Sequence, residues 1–193
     1  MNIQNKRYDS QIHHRQSTRL KNYDYASNGY YFVTICTHDK QQLFGEIKIR
    51  RGTACCALNE YGNIVNDEWI KSTHIRNKIE LDEFVIMPNH IHGIIVINDL
   101  GTARRARTEQ FGLPVSGSLP TIVRAFKSAG TKRINELRNS PGQKLWQRNY
   151  YEHVIRDENF LNRIRKYIKN NPAKWEEDEY YKDEIASRFH PSQ

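Results

Sequence analysis

A chain of 193 residues with 37% hydrophobic content is long enough for one domain with its own core, and its formal net charge of +8 favours a polyanionic partner. No apolar run approaches the span of a membrane helix and residues 1–6 form no signal-peptide apolar region, so a soluble intracellular protein is expected. Cys36, Cys55 and Cys56 form no CxxC pair and are odd in number, which argues against a disulfide framework or zinc knuckle and predicts reduced, buried thiols.

Residues 6–28 read as a polar, basic arm without clear periodicity, carrying Arg15, Arg19 and Lys21 among its cations. Residues 30–37 are aromatic and β-branched and predict a strand. Segments 43–49 and 55–58 predict two more, the second followed by the turn Tyr61-Gly62-Asn63. Residues 64–72 place Ile64, Val65, Trp69 and Ile70 at helical spacing. Residues 79–87 alternate as a strand, and Pro88-Asn89 break the chain before a second apolar run ending at Ile97. Together these two predict a hairpin in a mainly antiparallel sheet.

Residues 99–118 form a basic loop rich in Gly, Ser and Arg, longer than most loops within a domain. Ser118 then suits a helix cap, with Pro120 in the first turn and Ile122, Ala125, Phe126 and Ala129 as the apolar face. Arg124 and Lys127 are candidates for phosphate contact, although a solvated helix face would look the same. Residues 145–155 predict a turn and a short strand containing Tyr150, Tyr151 and His153, the last expected in the core or beside a site. Asp157 opens a helix to about residue 170, which Pro172 stops. The sum is one α+β domain: an antiparallel sheet of four or five strands with helices on one face.

Pro88-Asn89-His90-Ile91-His92 is the most telling stretch. Two histidines one residue apart share a face of a strand, where both imidazoles can ligate one divalent ion. Ile94 and Val96 continue that face, and Ile91, Ile95 and Ile97 fill the other. A strand apolar on both faces reads as central and covered, so the histidines need partners there. The pair alone is a weak signal. In the helix from Asp157, the residues Phe160, Ile164, Tyr167, Ile168 and Asn171 fall at spacings of three and four, so Tyr167 is expected to point inward. An inward tyrosine is ordinarily core, with its hydroxyl hydrogen-bonded.

Five motifs then resemble one family in its order: RLKNYDY at 19–25, YFVTICT at 31–37, LDEFVIMPNHIHG at 81–93, LWQRNYYEHVIR at 145–156 and YIKNNP at 167–172. The chain is similar to the REP-associated tyrosine transposases of the HUH superfamily of single-strand DNA nucleases, in which U is a bulky hydrophobe. The resemblance implies a ferredoxin-like or RRM-like sheet with the HUH motif on a central strand. It implies His90 and His92 as metal ligands, Tyr167 as the nucleophile, and Asn171 as the third ligand where relatives often have Gln. It also implies Mg²⁺ or Mn²⁺, a hairpin-bearing single strand of DNA as partner, a monomer or homodimer, and a bacterial cytoplasmic setting near the nucleoid. The expected DNA contacts are Arg15, Arg19, Lys21, Arg124, Lys127 and Arg163, and Tyr150 and Tyr151 are the alternative nucleophiles. The corresponding division is an arm at 1–28, a catalytic domain at 29–175 containing the loop 99–118, and a tail at 176–193. A protein that keeps the fold and binds hairpin DNA without turnover is the competing reading.

Overall fold

The computed structural model describes residues 19–20, 23–98 and 115–181. In chain order the elements are β1 (Gly29–Cys36), β2 (Gly45–Arg50), β3 (Thr53–Leu58), α1 (Glu60–His74), β4 (Ile79–Ile86), β5 (His90–Ile97), α2 (Leu119–Leu137), β6 (Tyr151–Ile155) and α3 (Glu158–Asn170), with short 3₁₀ turns at His38–Lys40 and Asn171–Glu177. The main sheet has the order β4-β5-β1-β6, and every pairing in it is antiparallel. With the separate β2–β3 hairpin set aside, the path is βαββαβ with the first and third strands central. This is the expected ferredoxin-like α+β architecture, with the two histidines on the central strand β5.

The alternation of β1 and β5 sorts their side chains onto two faces. Tyr31, Val33 and Ile35 of β1 join Ile91, Ile95 and Ile97 of β5 in one core, completed by Val65 and Trp69 of α1 and Ile122, Val123 and Phe126 of α2. Phe32 and Ile94 face the other way, where they meet Leu161 and Ile168 of α3. The helices therefore cover both faces of the sheet rather than one. Ile94 and Val96 require this, because their side of β5 is apolar too and must be shielded from water.

Gly93 shows how tightly the first face is packed. A Cβ there would come within 2.5 Å of Trp69 Cζ2, so only glycine lets the indole lie against the strand immediately after His92. Asp157 caps α3 as expected, its side chain accepting from Phe160 N at 2.8 Å. Ser118 occupies the start of α2 but makes no capping side-chain bond, and its hydroxyl lies 3.4 Å from Thr121 Oγ1. Helix α1 begins earlier than its apolar pattern predicts, because Asn59 caps it by accepting from Gly62 N.

Two expected boundaries look different in space. Tyr25, assigned to the arm, is 3% exposed and packs in the main core beside Tyr23 and Tyr31. Residues 178–180, assigned to the tail, return to the histidine face, as the next section describes. Most of the loop 99–118 and the rest of both termini lie outside the described residues.

Candidate metal and nucleophile site

His90 and His92 project from β5 on the α3 side of the sheet, fully buried, with ring centroids 4.4 Å apart. Antiparallel pairing puts Thr34 of β1 directly opposite His92, and its Oγ1 lies 2.9 Å from His92 Nδ1. Asn89 fixes the other ring. Its amide nitrogen donates to the carbonyls of Lys40 and Tyr180, so its Oδ1 must accept, and His90 Nδ1 lies 2.8 Å away. His90 therefore carries its proton on Nδ1. Nε2 is left with a bare lone pair, buried and without a hydrogen-bond partner. Burial drives the pKa of His90 down to about 3 and that of His92 well below its ordinary value. Both rings are neutral near pH 7, the form in which imidazole binds a metal.

Tyr167 is the next group. Its hydroxyl lies 3.1 Å from His92 Nε2, and its ring meets Phe32 edge-on at 6.2 Å. The expected inward orientation needs correction: Tyr167 is 42% exposed. It sits on the margin of the helix's apolar stripe, with Ile168 beside it taking the buried position. Burial of the hydroxyl, then the nearby Asp178 and Glu179 carboxylates, push its pKa up to about 12. Asn171, one turn on, is buried; its Nδ2 donates to Asp178 Oδ2 at 2.8 Å, and its Oδ1 is a buried acceptor with no partner.

Asp178 was not foreseen. The ligand atoms of His90, His92 and Asp178 all lie within 4.8 Å of one another. Tyr180 follows it over the pair, its ring 4.8 Å from His90 and 5.9 Å from His92. Lys40 secures this segment by donating to Glu179 O and lying over the Tyr180 ring. The donor set thus offers two neutral imidazoles, one orphaned amide oxygen and one carboxylate. Two of these donors, His90 Nε2 and Asn171 Oδ1, are buried acceptors without a partner, and such a mixed nitrogen and oxygen set suits a metal ion.

The remaining candidates separate. Tyr150 is half-buried and its pKa is raised by burial and by Glu152. Tyr151 is 48% exposed on β6, 6.2 Å from the Phe32 ring. Of the three tyrosines considered as nucleophiles, Tyr167 makes a hydrogen bond to a histidine of the pair. His153 does not lie in the core: β6 is an edge strand, and this ring is exposed, 4.8 Å from Phe160.

Among the expected DNA contacts, Arg19 pairs with the buried carboxylate of Glu152 at 3.5 Å, and Lys127 donates to the carbonyls of Gln147 and Asn149. Burial lowers the pKa of Lys127 to about 8. Lys127 therefore acts inside the fold, whereas Arg19 is exposed and tied to Glu152. Arg124 is exposed on α2, across the sheet from the histidines, whereas Arg163 is exposed on α3, its guanidinium over Phe160. Arg15 and Lys21 lie outside the described residues. Cys55 and Cys56 are half-buried thiols rather than buried ones, and Cys36 is buried.

Comparison with known proteins adds to this geometry. No family model matches the chain. An uncharacterised Haemophilus influenzae protein is 43% identical over 185 residues, covering 92% of this chain and 98% of that one. A second Haemophilus influenzae protein, provisionally named a REP-associated tyrosine transposase, is 28% identical over 173 residues, covering 89% and 86%. Among solved structures, a REP-associated tyrosine transposase bound to a REP hairpin superposes with a TM-score of 0.53 at 18% identity, covering 90% of this chain and 88% of that one, which shows a shared fold. No helix among the described residues is long and apolar enough to cross a membrane. The ordered motifs, the named relative and the common fold agree: the chain is similar to the REP-associated tyrosine transposases and shares their fold.

Proposed function

We propose that this protein cleaves and rejoins single-stranded DNA beside a hairpin, with Tyr167 as the nucleophile. The observation that carries the reading is the Tyr167 hydroxyl, 3.1 Å from Nε2 of a histidine in a buried His-x-His pair. The residue is 42% exposed, and hydrogen-bond distance to a second group is the usual signature of an activated nucleophile.

In the proposed reaction Tyr167 Oη bonds to phosphorus as the bond from phosphorus to the 3′ oxygen breaks. The departing strand ends in a 3′-OH, and the other strand stays linked as a 5′-phosphotyrosine. The phosphoester is conserved, so the reverse attack by a 3′-OH rejoins DNA without ATP. His90, His92 and Asn171 would hold a divalent ion, with Asp178 as an additional ligand. When bound, such an ion neutralises charge on the scissile phosphate as a Lewis acid. The protein's own contribution is orientation. Asn89 holds His90, Thr34 holds His92, and α3 presents the phenol beside them.

The raised pKa of Tyr167 has a consequence. With Asp178 and Glu179 nearby, the phenol is held protonated and is a weak nucleophile. Cations entering the site would offset those carboxylates and favour the phenolate. The same feature favours the competing reading, a hairpin-DNA-binding protein with slight turnover. A labelled hairpin strand incubated with protein and Mn²⁺, then run on a denaturing gel, separates the two. The nucleophile reading requires a slow covalent band that appears with wild type and is absent from Tyr167→Phe. DNA binding without any band supports the competing one.

A further inference from the structure

A cleft of about 530 Å³ opens along the outer edge of β6, within the size range of pockets that take small organic groups. Its walls include Tyr151, His153, Arg156 and Phe160, with Tyr25 and Leu20 closing one side. Tyr151 and His153 alternate onto the α3 face of the strand, and both are exposed. His153 lies 4.8 Å from Phe160, and the Arg163 guanidinium covers the same Phe160 ring at 5.1 Å. An edge strand usually shows polar groups to water, and here it shows two aromatic rings.

Aromatic contacts run from Tyr151 in the cleft wall to the site. Phe32 is the link: Tyr151 and Tyr167 each meet it edge-on at 6.2 Å, and His92 stacks on it at 5.5 Å. Exposed Arg156, Arg163 and Lys166 offer cations along this margin, and the cleft wall also holds Glu152, which pairs with Arg19. Asp157 and Glu158 stand at the helix start, and Asp157 is occupied as the cap.

We propose that this cleft binds one unpaired base of the DNA strand next to the attacked phosphate, with Tyr151 as the stacking surface. The inference rests on the reading of Tyr167 as the nucleophile. A base in a hairpin stem is already paired and stacked, whereas an unpaired base offers both π-faces. Base stacking on aromatic side chains with cations along the backbone is the general mode of single-strand binding. A base lodged at Tyr151 would hold its own phosphate near the Tyr167 hydroxyl, so Tyr151 is a positioning residue.

The test uses the full chain and a hairpin DNA with single-stranded flanks, carrying 2-aminopurine at each flank position in turn. Stacking on a tyrosine quenches this fluorophore. One flank position should be quenched by wild type, and Tyr151→Ala should restore its fluorescence and cut adduct formation by about tenfold, in line with one lost base stack. Affinity for the hairpin stem should move much less. Tyr151→Phe should preserve the quench, since only the ring is needed. As a DNA-side counterpart, an abasic residue at that position should slow wild type as Tyr151→Ala does. Quenching that persists in Tyr151→Ala, or no quenched position while wild type still forms adduct, overturns the inference. Loss of the adduct in Tyr151→Phe also overturns it and makes Tyr151 the nucleophile instead. A quench that depends on Tyr151 with no wild-type adduct leaves the base site standing and sinks the cleavage reading, so the two failures are distinguishable.

Discussion

The two faces of β5 differ by one residue's shift and carry opposite chemistry. On one face Ile91, Ile95 and Ile97 lie against α1 and α2 with Trp69 filling the space beside Gly93. On the other, the neighbouring positions hold His90 and His92, ringed by Thr34, Asn89, Asn171 and Asp178. The apolar face gains its stability by close packing. The polar face keeps acceptors unsatisfied, which costs stability and is what a ligand-binding site requires. The rigid face therefore serves as a backing plate: side chains on the site side are held by a strand that cannot move on the other.

The largest contrast expected is chemical. Tyr167→Phe retains the ring against Phe32 and removes the one oxygen proposed to attack. Covalent adduct should vanish while hairpin binding stays within about fivefold, since one lost hydrogen bond costs only about 1 kcal/mol. Binding should itself weaken with salt, log affinity falling by about 0.7 per neutralised phosphate for each unit of log salt. Measuring adduct and affinity on one preparation separates a missing nucleophile from a damaged fold.

The apolar face breaks differently. Gly93→Ala places a Cβ 2.5 Å from Trp69 Cζ2 and 3.3 Å from Phe84 Cβ. Neither neighbour is a flexible chain end, and overpacking of this kind costs about 1–3 kcal/mol. Denaturant midpoints should fall accordingly. In the Trp69→Phe background the added penalty of Gly93→Ala should be smaller, because the clashing atom is gone. Equal penalties in both backgrounds would show that the indole is not what Gly93 accommodates.

How far the sequence reveals this contrast depends on the range of the interaction. The two faces of β5 are legible because strand alternation is local and Ile94, Ile95, Val96 and Ile97 leave no polar side. Asn171 one turn beyond Tyr167 is legible from helical spacing for the same reason. The same spacing misplaces Tyr167 as inward, because periodicity gives a direction and not where the partner sheet ends. His153 fails for a related cause: nothing local says that β6 is an edge strand. Asp178 and Tyr180 carry no periodic signal and reach the site only because the chain folds back after Pro172. Lys127 reads as a surface cation, and only tertiary packing supplies the Gln147 and Asn149 carbonyls that hold it.

Acid should weaken the polar face more than the apolar one. The folded-state pKa of His90 is about 3 against an ordinary 6.5, and that of His92 is also lowered. Between those values the unfolded chain binds protons that the folded chain does not. The stability contribution is thus complete above about pH 6.5 and is lost as pH falls toward 3. With metal chelated, His90 should account for a loss on the order of 1–2 kcal/mol between pH 7 and pH 5. His90→Gln should flatten that part of the pH profile. An unchanged slope would mean the ring is not held neutral.

The smallest effect expected lies where α3 meets the sheet. Arg165 donates from both Nε and Nη2 to the Asp82 carboxylate at the edge of β4, and Lys169 pairs with Glu83 at 2.8 Å. Helix α3 carries Tyr167, so these pairs align the phenol across the sheet from outside. Arg165 and, more so, Lys169 remain partly open to solvent, which limits each pair to about 1 kcal/mol or less. Asp82→Asn should therefore lower stability only slightly. Arg165 holds the Asp82 carboxyl below its ordinary range. Its contribution is accordingly present above about pH 4 and disappears as pH drops through the depressed folded value. If alignment matters, the adduct rate in Asp82→Asn should fall by more than the stability change implies, and high salt should mimic this in wild type. A rate that follows stability alone would make the pairs props of the helix and nothing more.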